Sequence, residues 1–183
     1  MDVWLLLLLG DPDAAAPLLE ECYSLCRRFG DEGQLACAVQ IRGFAALLAG
    51  DFDSATDLLR DALTRHRQIG QADRAWITLF QLAMAAVFND DPGASALCEQ
   101  CVSICEREKL PWLRSYALWV SGLDEWRQGH PAAAKMMIRE AIKFKAAHND
   151  HLGIAQCLEA LAWITCDAER HTLSQPLEIW RSY

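Results

Sequence analysis

Three cysteines, Cys98, Cys101 and Cys105, stand at i, i+3 and i+7, so one helix would present all three thiols along a single face. Thiols at that spacing belong to metal or redox chemistry. A structural zinc site wants four ligands, however, and no second C-x-x-C or paired histidine follows at the usual distance. Cys98 and Cys101 also occupy positions that other segments fill with Leu and Ala, so they are expected as buried, unbridged small hydrophobes without a metal. Cys22 and Cys26 read the same way. His148 and His151 flank the Asn149-Asp150 turn and are expected as polar loop residues. The charged pairs Glu20-Glu21 and Arg139-Glu140 fall on outward helical positions, where charge means solvent. No Ser, His and Asp set can be drawn from spacing, and no G-x-x-x-x-G-K-S/T loop is present. The chain is therefore expected not to be an enzyme and to carry no cofactor.

The elements that would hold these residues come from two repeated series of turn signals. Gly10-Asp11, Gly50-Asp51, Asn89-Asp90 and Gly129-His130 recur at spacings of 40, 39 and 40. Between them Gly30, Gly70, Lys109 and Asn149 recur at the same spacings of 40, 39 and 40. Gly and Asn tolerate the left-handed conformation that ends a helix. Asp11, Asp51, Asp91 and Asp150 can then accept from the free N–H groups opening the next helix. Pro12, Pro92, Pro111 and Pro131 sit where a first-turn proline is harmless.

Between the turns, apolar columns align at helical spacing. Ala15, Ala55, Ala94 and Ala134 form a small column. Leu18, Leu58, Leu97 and Met137, then Leu19, Leu59, Cys98 and Ile138, form large ones, and Cys22, Ala62, Cys101 and Ala141 form a second small one. In the alternate helices Val39, Leu79, Leu118 and Leu158 are large, and Gly43, Ala83, Gly122 and Ala162 are small. The pattern predicts helices over 2–9, 12–28, 33–49, 52–68, 73–88, 92–107, 112–128, 131–147, 151–166 and 169–182, and no strands. The fold class is all-α: one repeat domain over 1–183, with helix pairs turning at about 10, 30, 50, 70, 89, 109, 129 and 149. Neither end reads as a polar capping repeat, so the chain is expected to be a fragment of a longer one.

A formal net charge of −8 argues against a nucleic-acid surface, which needs clustered Lys and Arg. The apolar run from Val3 to Leu9 stops at Gly10 and is too short to span a bilayer, and it has no basic segment before it. It reads as the end of a buried helix, so the expectation is a cytoplasmic protein with reduced thiols and no membrane partner.

The small residues at Gly43, Ala83, Gly122 and Ala162, followed about one hairpin later by Ala55, Ala94 and Ala134, resemble the tetratricopeptide pattern. The period of about 40 residues exceeds the ~34 usual for that repeat. Helices of this length, and stretches such as Arg114 to Gly129 (RSYALWVSGLDEWRQG) and Leu152 to Ile164 (LGIAQCLEALAWI), resemble the repeat domain of MalT-like regulators in the LuxR family, common in actinobacteria. The resemblance runs from Gly10 to about Ile164 and departs after Cys166, where Gln175-Pro176 replaces small helix formers. It implies a right-handed superhelix of antiparallel helix pairs, an α-solenoid. It also implies an ATP-binding module before the repeats, a helix-turn-helix after them, and repeats that sense an inducer or a partner protein.

Solenoids of this type turn the first helix of each pair toward a concave groove. Extending that geometry places Gln40, Phe44, Phe80, Met84, Tyr116, Trp119, Leu123, Trp126, Gln156, Glu159 and Trp163 in the groove. Large amphipathic rings on an accessible concave face favour a peptide, a partner helix or a small effector. The expected function is therefore a sensor and scaffold domain of a LuxR-type regulator. The alternative is a free-standing tetratricopeptide adaptor that binds a peptide or partner helix without a DNA role. The apolar stub Val3 to Leu9 should pack on residues 12–28 or on a second molecule, giving a homodimer through exposed terminal helices.

Overall fold

The computed structural model describes residues 3–166. The predicted helix over 169–182 lies outside the described residues. The described chain consists of α1 (Val3–Leu8), α2 (Pro12–Phe29), α3 (Glu32–Leu48), α4 (Phe52–Gln68), α5 (Ala72–Phe88), α6 (Ala94–Arg107), α7 (Pro111–Arg127), α8 (Pro131–Ala147) and α9 (His151–Cys166). No strand occurs among these residues. The chain divides into two compact units, with the division inside α5 between Ala85 and Ala86. In the first unit α1 packs on α2, α2 on α3, and α3 on α4, and α1 also reaches α3. In the second, α6 packs on α7, α7 on α8, and α8 on α9, and α7 also touches α9 directly.

Every helix–helix turn closes with the same backbone bond. The N–H groups of Asp11, Asp31, Asp51, Gln71, Asp91, Leu110, His130 and Asp150 donate to the carbonyls of Leu6, Cys26, Ala46, His66, Ala86, Cys105, Glu125 and Lys145, each five residues earlier. This bond requires a left-handed residue just before the donor, which is why glycine dominates that position. Gly10, Gly30, Gly50, Gly70 and Gly129 supply it, and Asp90, Lys109 and Asn149 adopt it with φ of 52°, 55° and 55°. Asp11, Asp31, Asp51 and Asp150 then cap the next helix by accepting from the N–H three residues on.

The α5–α6 turn differs from expectation. Its left-handed residue is Asp90, not Asn89, and Asp91 accepts from the N–H of Gly93. Pro92 and Gly93 are used up in this turn, so α6 begins at Ala94 rather than 92.

The columns pack as their sizes require. Ala15, Ala55, Ala94, Ala134, Leu59 and Ile138 are buried, and the glycines of the alternate helices admit them closely. A methyl on Gly43 would overlap Leu59 and Leu58, and one on Gly122 would overlap Ile138 and the carbonyl of Ala134. Three members break their columns. Cys22 is exposed, because the six-residue α1 covers only the first turns of α2 through Leu6, Leu7 and Ala15. Leu158 and Ala162 are exposed, because among the described residues α9 has neighbours, α7 and α8, on one side only.

Candidate ligand-binding face

In the first unit, Phe44 of α3 is half-buried against the Leu6–Leu7 cluster of α1. Phe80 of α5 is half-buried and stacks on Trp76 one turn earlier, centroids 5.7 Å apart, and Met84 is half-buried one turn later. Gln40, expected at the edge of a groove, is instead enclosed. It donates through Nε2 to Oε1 of Gln81 on α5 (3.0 Å), and its own Oε1 faces Nε2 of His66 on α4 (3.3 Å). His66 is fully buried, and its Nδ1 meets Oε1 of Gln71 at 3.0 Å. An imidazolium would donate to both oxygens. A neutral ring satisfies the same geometry with one amide turned, and Gln71, nearer the surface, is the one with room to turn.

Burial holds His66 below its ordinary pKa, with the Arg74 charge acting the same way and the Gln71 bond opposing both. A histidine whose folded pKa is depressed leaves the unfolded chain the better proton acceptor. Its stabilising contribution is then complete above about pH 6.5 and is lost as the pH falls below it. The unfolding free energy of the wild-type chain, from urea denaturation, should drop relative to His66→Gln between neutral and mildly acidic pH, by at most about 1.4 kcal/mol per pH unit. Parallel curves for the two proteins would show that His66 titrates normally.

In the second unit, α7 carries Tyr116, Trp119, Leu123 and Trp126, and α9 carries Gln156, Glu159 and Trp163. Trp119 (2% exposed), Leu123 and Trp126 (8%) lie inside the unit. Their helix has α6, α8 and α9 around it, so positions on its inner arc are covered by neighbours. Tyr116, Gln156, Glu159 and Trp163 remain half-buried, and these four form the accessible part of the expected face.

Tyr116 is fixed from beneath. Its hydroxyl donates to Oδ2 of Asp150 at 2.8 Å, and Nζ of the buried Lys145 lies 3.1 Å from the centre of its ring and 3.1 Å from the same Oδ2. Oδ1 of Asp150 accepts from the N–H of Gly153, where any side chain would run into Asp150 and Lys145. Burial lowers the Lys145 pKa, while Asp150 opposes that effect. Burial likewise raises the Asp150 carboxyl, but its bonds from Gly153, Tyr116 and Lys145 bring it below the ordinary value. The buried carboxylate of Asp124 accepts from Ser95 (2.7 Å), Arg127 (2.7 and 3.0 Å) and Gln128 (2.8 Å), tying α6 to α7.

Sequence reasoning missed these clusters, although a signal existed. Cys26, His66, Cys105 and Lys145 also recur at 40, 39 and 40, and all four are buried at the closing bond of a turn. Their unlike chemistry hides the column: only its geometry is shared.

Cys98, Cys101 and Cys105 are buried and form no disulfide, with burial pushing the Cys98 thiol up to about 12 and Cys101 higher still. Among the described residues no three His, Cys, Asp or Glu side chains gather into a metal-holding group. A thiol reagent should label Cys22 and Cys166 in the native chain and reach the three α6 thiols only on unfolding, since thiolate character and access set the rate. Early labelling of the α6 thiols, read by mass spectrometry, would refute this arrangement.

No protein-family model matches the chain, and no curated protein sequence matches it. No helix among the described residues is long and apolar enough to cross a membrane.

Proposed function

We propose that this chain is the sensor and scaffold segment of a LuxR-type transcription regulator, built as a right-handed tetratricopeptide-like superhelix with a period of about 40 residues. It receives a peptide, a partner helix or a small effector on the side of its alternate helices. The observation that carries the reading is the half-buried set Tyr116, Gln156, Glu159 and Trp163 on α7 and α9, with Trp119 and Trp126 of α7 enclosed. Accessible aromatic and amide groups carried on packed helices bind at low ordering cost. Phe44, Phe80 and Met84 are the corresponding half-buried apolar groups of the first unit. The exposed Leu25 and Phe29 of α2 and Leu152 and Leu158 of α9 belong to the same reading, as contacts between copies.

Two measurements test it. Reading the gene past the codon for Tyr183 should reveal a helix-turn-helix module. In cells, Trp163→Ala should change expression of the regulated genes while leaving the melting temperature of the chain in place. Absence of that module, or a Trp163→Ala variant with wild-type regulation, overturns the regulator reading or the role of the face, respectively.

A further inference from the structure

Among its described residues the second unit pairs all its carboxylates except the exposed Glu99 and the half-buried Glu159. Asp91 accepts from Gly93, Asp124 from Ser95 and Arg127, Glu125 from His130, Glu140 from Arg114, and Asp150 from Lys145, Tyr116 and Gly153. Glu159 is half-buried like most of these, yet among the described residues no hydrogen bond or ion pair reaches it. Burial alone acts on its carboxyl, raising the pKa with no neighbouring charge or donor to oppose it. A partly desolvated carboxylate without a partner gains from an incoming cation that pairs with it.

Its surroundings fit such a cation. Helical spacing puts Gln156 and Trp163 on the same face of α9 as Glu159, three residues before and four after it. Tyr116 stands beside the start of α9 through its bond to Asp150. An aromatic ring one helical turn from a carboxylate, as Trp163 is from Glu159, can hold an ammonium or guanidinium group by cation–π attraction as well as by charge. The net charge of −8 adds long-range attraction for a basic partner.

We propose that the face of Tyr116, Gln156, Glu159 and Trp163 takes a basic amphipathic peptide or helix, with Glu159 pairing its Lys or Arg. This rests on the binding role proposed above for the same face, and it names the partner's chemistry.

The test titrates the full chain with an amidated Leu/Lys amphipathic peptide and with Leu/Gln and Leu/Glu counterparts of the same pattern. The Leu/Lys peptide should bind saturably and more weakly as salt rises. Glu159→Gln should weaken it by about tenfold or more, without lowering the melting temperature. Glu99→Gln, at an exposed acid of α6, should leave it unchanged. Equal binding of the Leu/Gln peptide, lost in Trp163→Ala but not in Glu159→Gln, would keep the binding face and overturn its preference for cations. Equal loss in Glu99→Gln would reduce the effect to general charge attraction and overturn the proposal. A lower melting temperature for Glu159→Gln would mean the carboxylate is already satisfied within the chain, which also overturns it. No binding of any of the peptides would sink the proposal together with the reading on which it rests.

Discussion

Asp150→Ala is expected to destabilise the chain by about 4 kcal/mol, because breaking a buried ion pair from one side strands the other charge. Lys145 is 1% exposed, and Asp150 is the carboxylate its ammonium meets. The same substitution removes the cap of α9 at Gly153 and the acceptor of the Tyr116 hydroxyl. Lys145→Met should cost far less, about 1 kcal/mol or below, since an apolar chain of similar length suits the buried site. Asp150 would keep two of its donors and some contact with water in that variant. Urea denaturation of both variants checks the asymmetry: equal losses would show that the stranded lysine is not what sets the cost.

Trp119→Ala is expected to cost about 3–5 kcal/mol, the range for large aromatic truncations in a core. The ring is 2% exposed, inside a helix flanked by α6, α8 and α9. Trp163→Ala, at a half-buried position on the outer described helix, should lower stability by a fraction of that and instead affect binding. Thermal melts separate the two: a Trp119→Ala chain melting at the wild-type temperature would place that ring at a contact surface after all.

The helical architecture was legible because its signals are local. A left-handed residue, an Asp cap and a first-turn proline each act within a few residues of chain. Gly50-Asp51 or Gly10-Asp11-Pro12 therefore announces its turn without reference to anything distant. The one turn misplaced by a residue, at Asn89-Asp90, offers two adjacent residues able to adopt the left-handed conformation, so local preference could not choose between them. The size columns were legible for a related reason: Gly43 against Leu59, or Gly122 against Ile138, leaves a periodic trace wherever the same packing recurs.

What only the tertiary structure decided was which side of each helix meets water, and which polar groups meet one another. Trp119 and Trp163 belong to the same family of positions, yet one is enclosed and the other half-exposed, because exposure depends on how many helices surround a position. Cys22 and Leu158 leave their buried columns for that reason too. The His66–Gln40–Gln81 chain and the Lys145–Asp150–Tyr116 cluster join residues up to 41 positions apart. A hydrogen bond between distant side chains imposes no period on the sequence, so nothing in the chain read alone distinguishes a paired carboxylate such as Asp150 from an unpaired one such as Glu159.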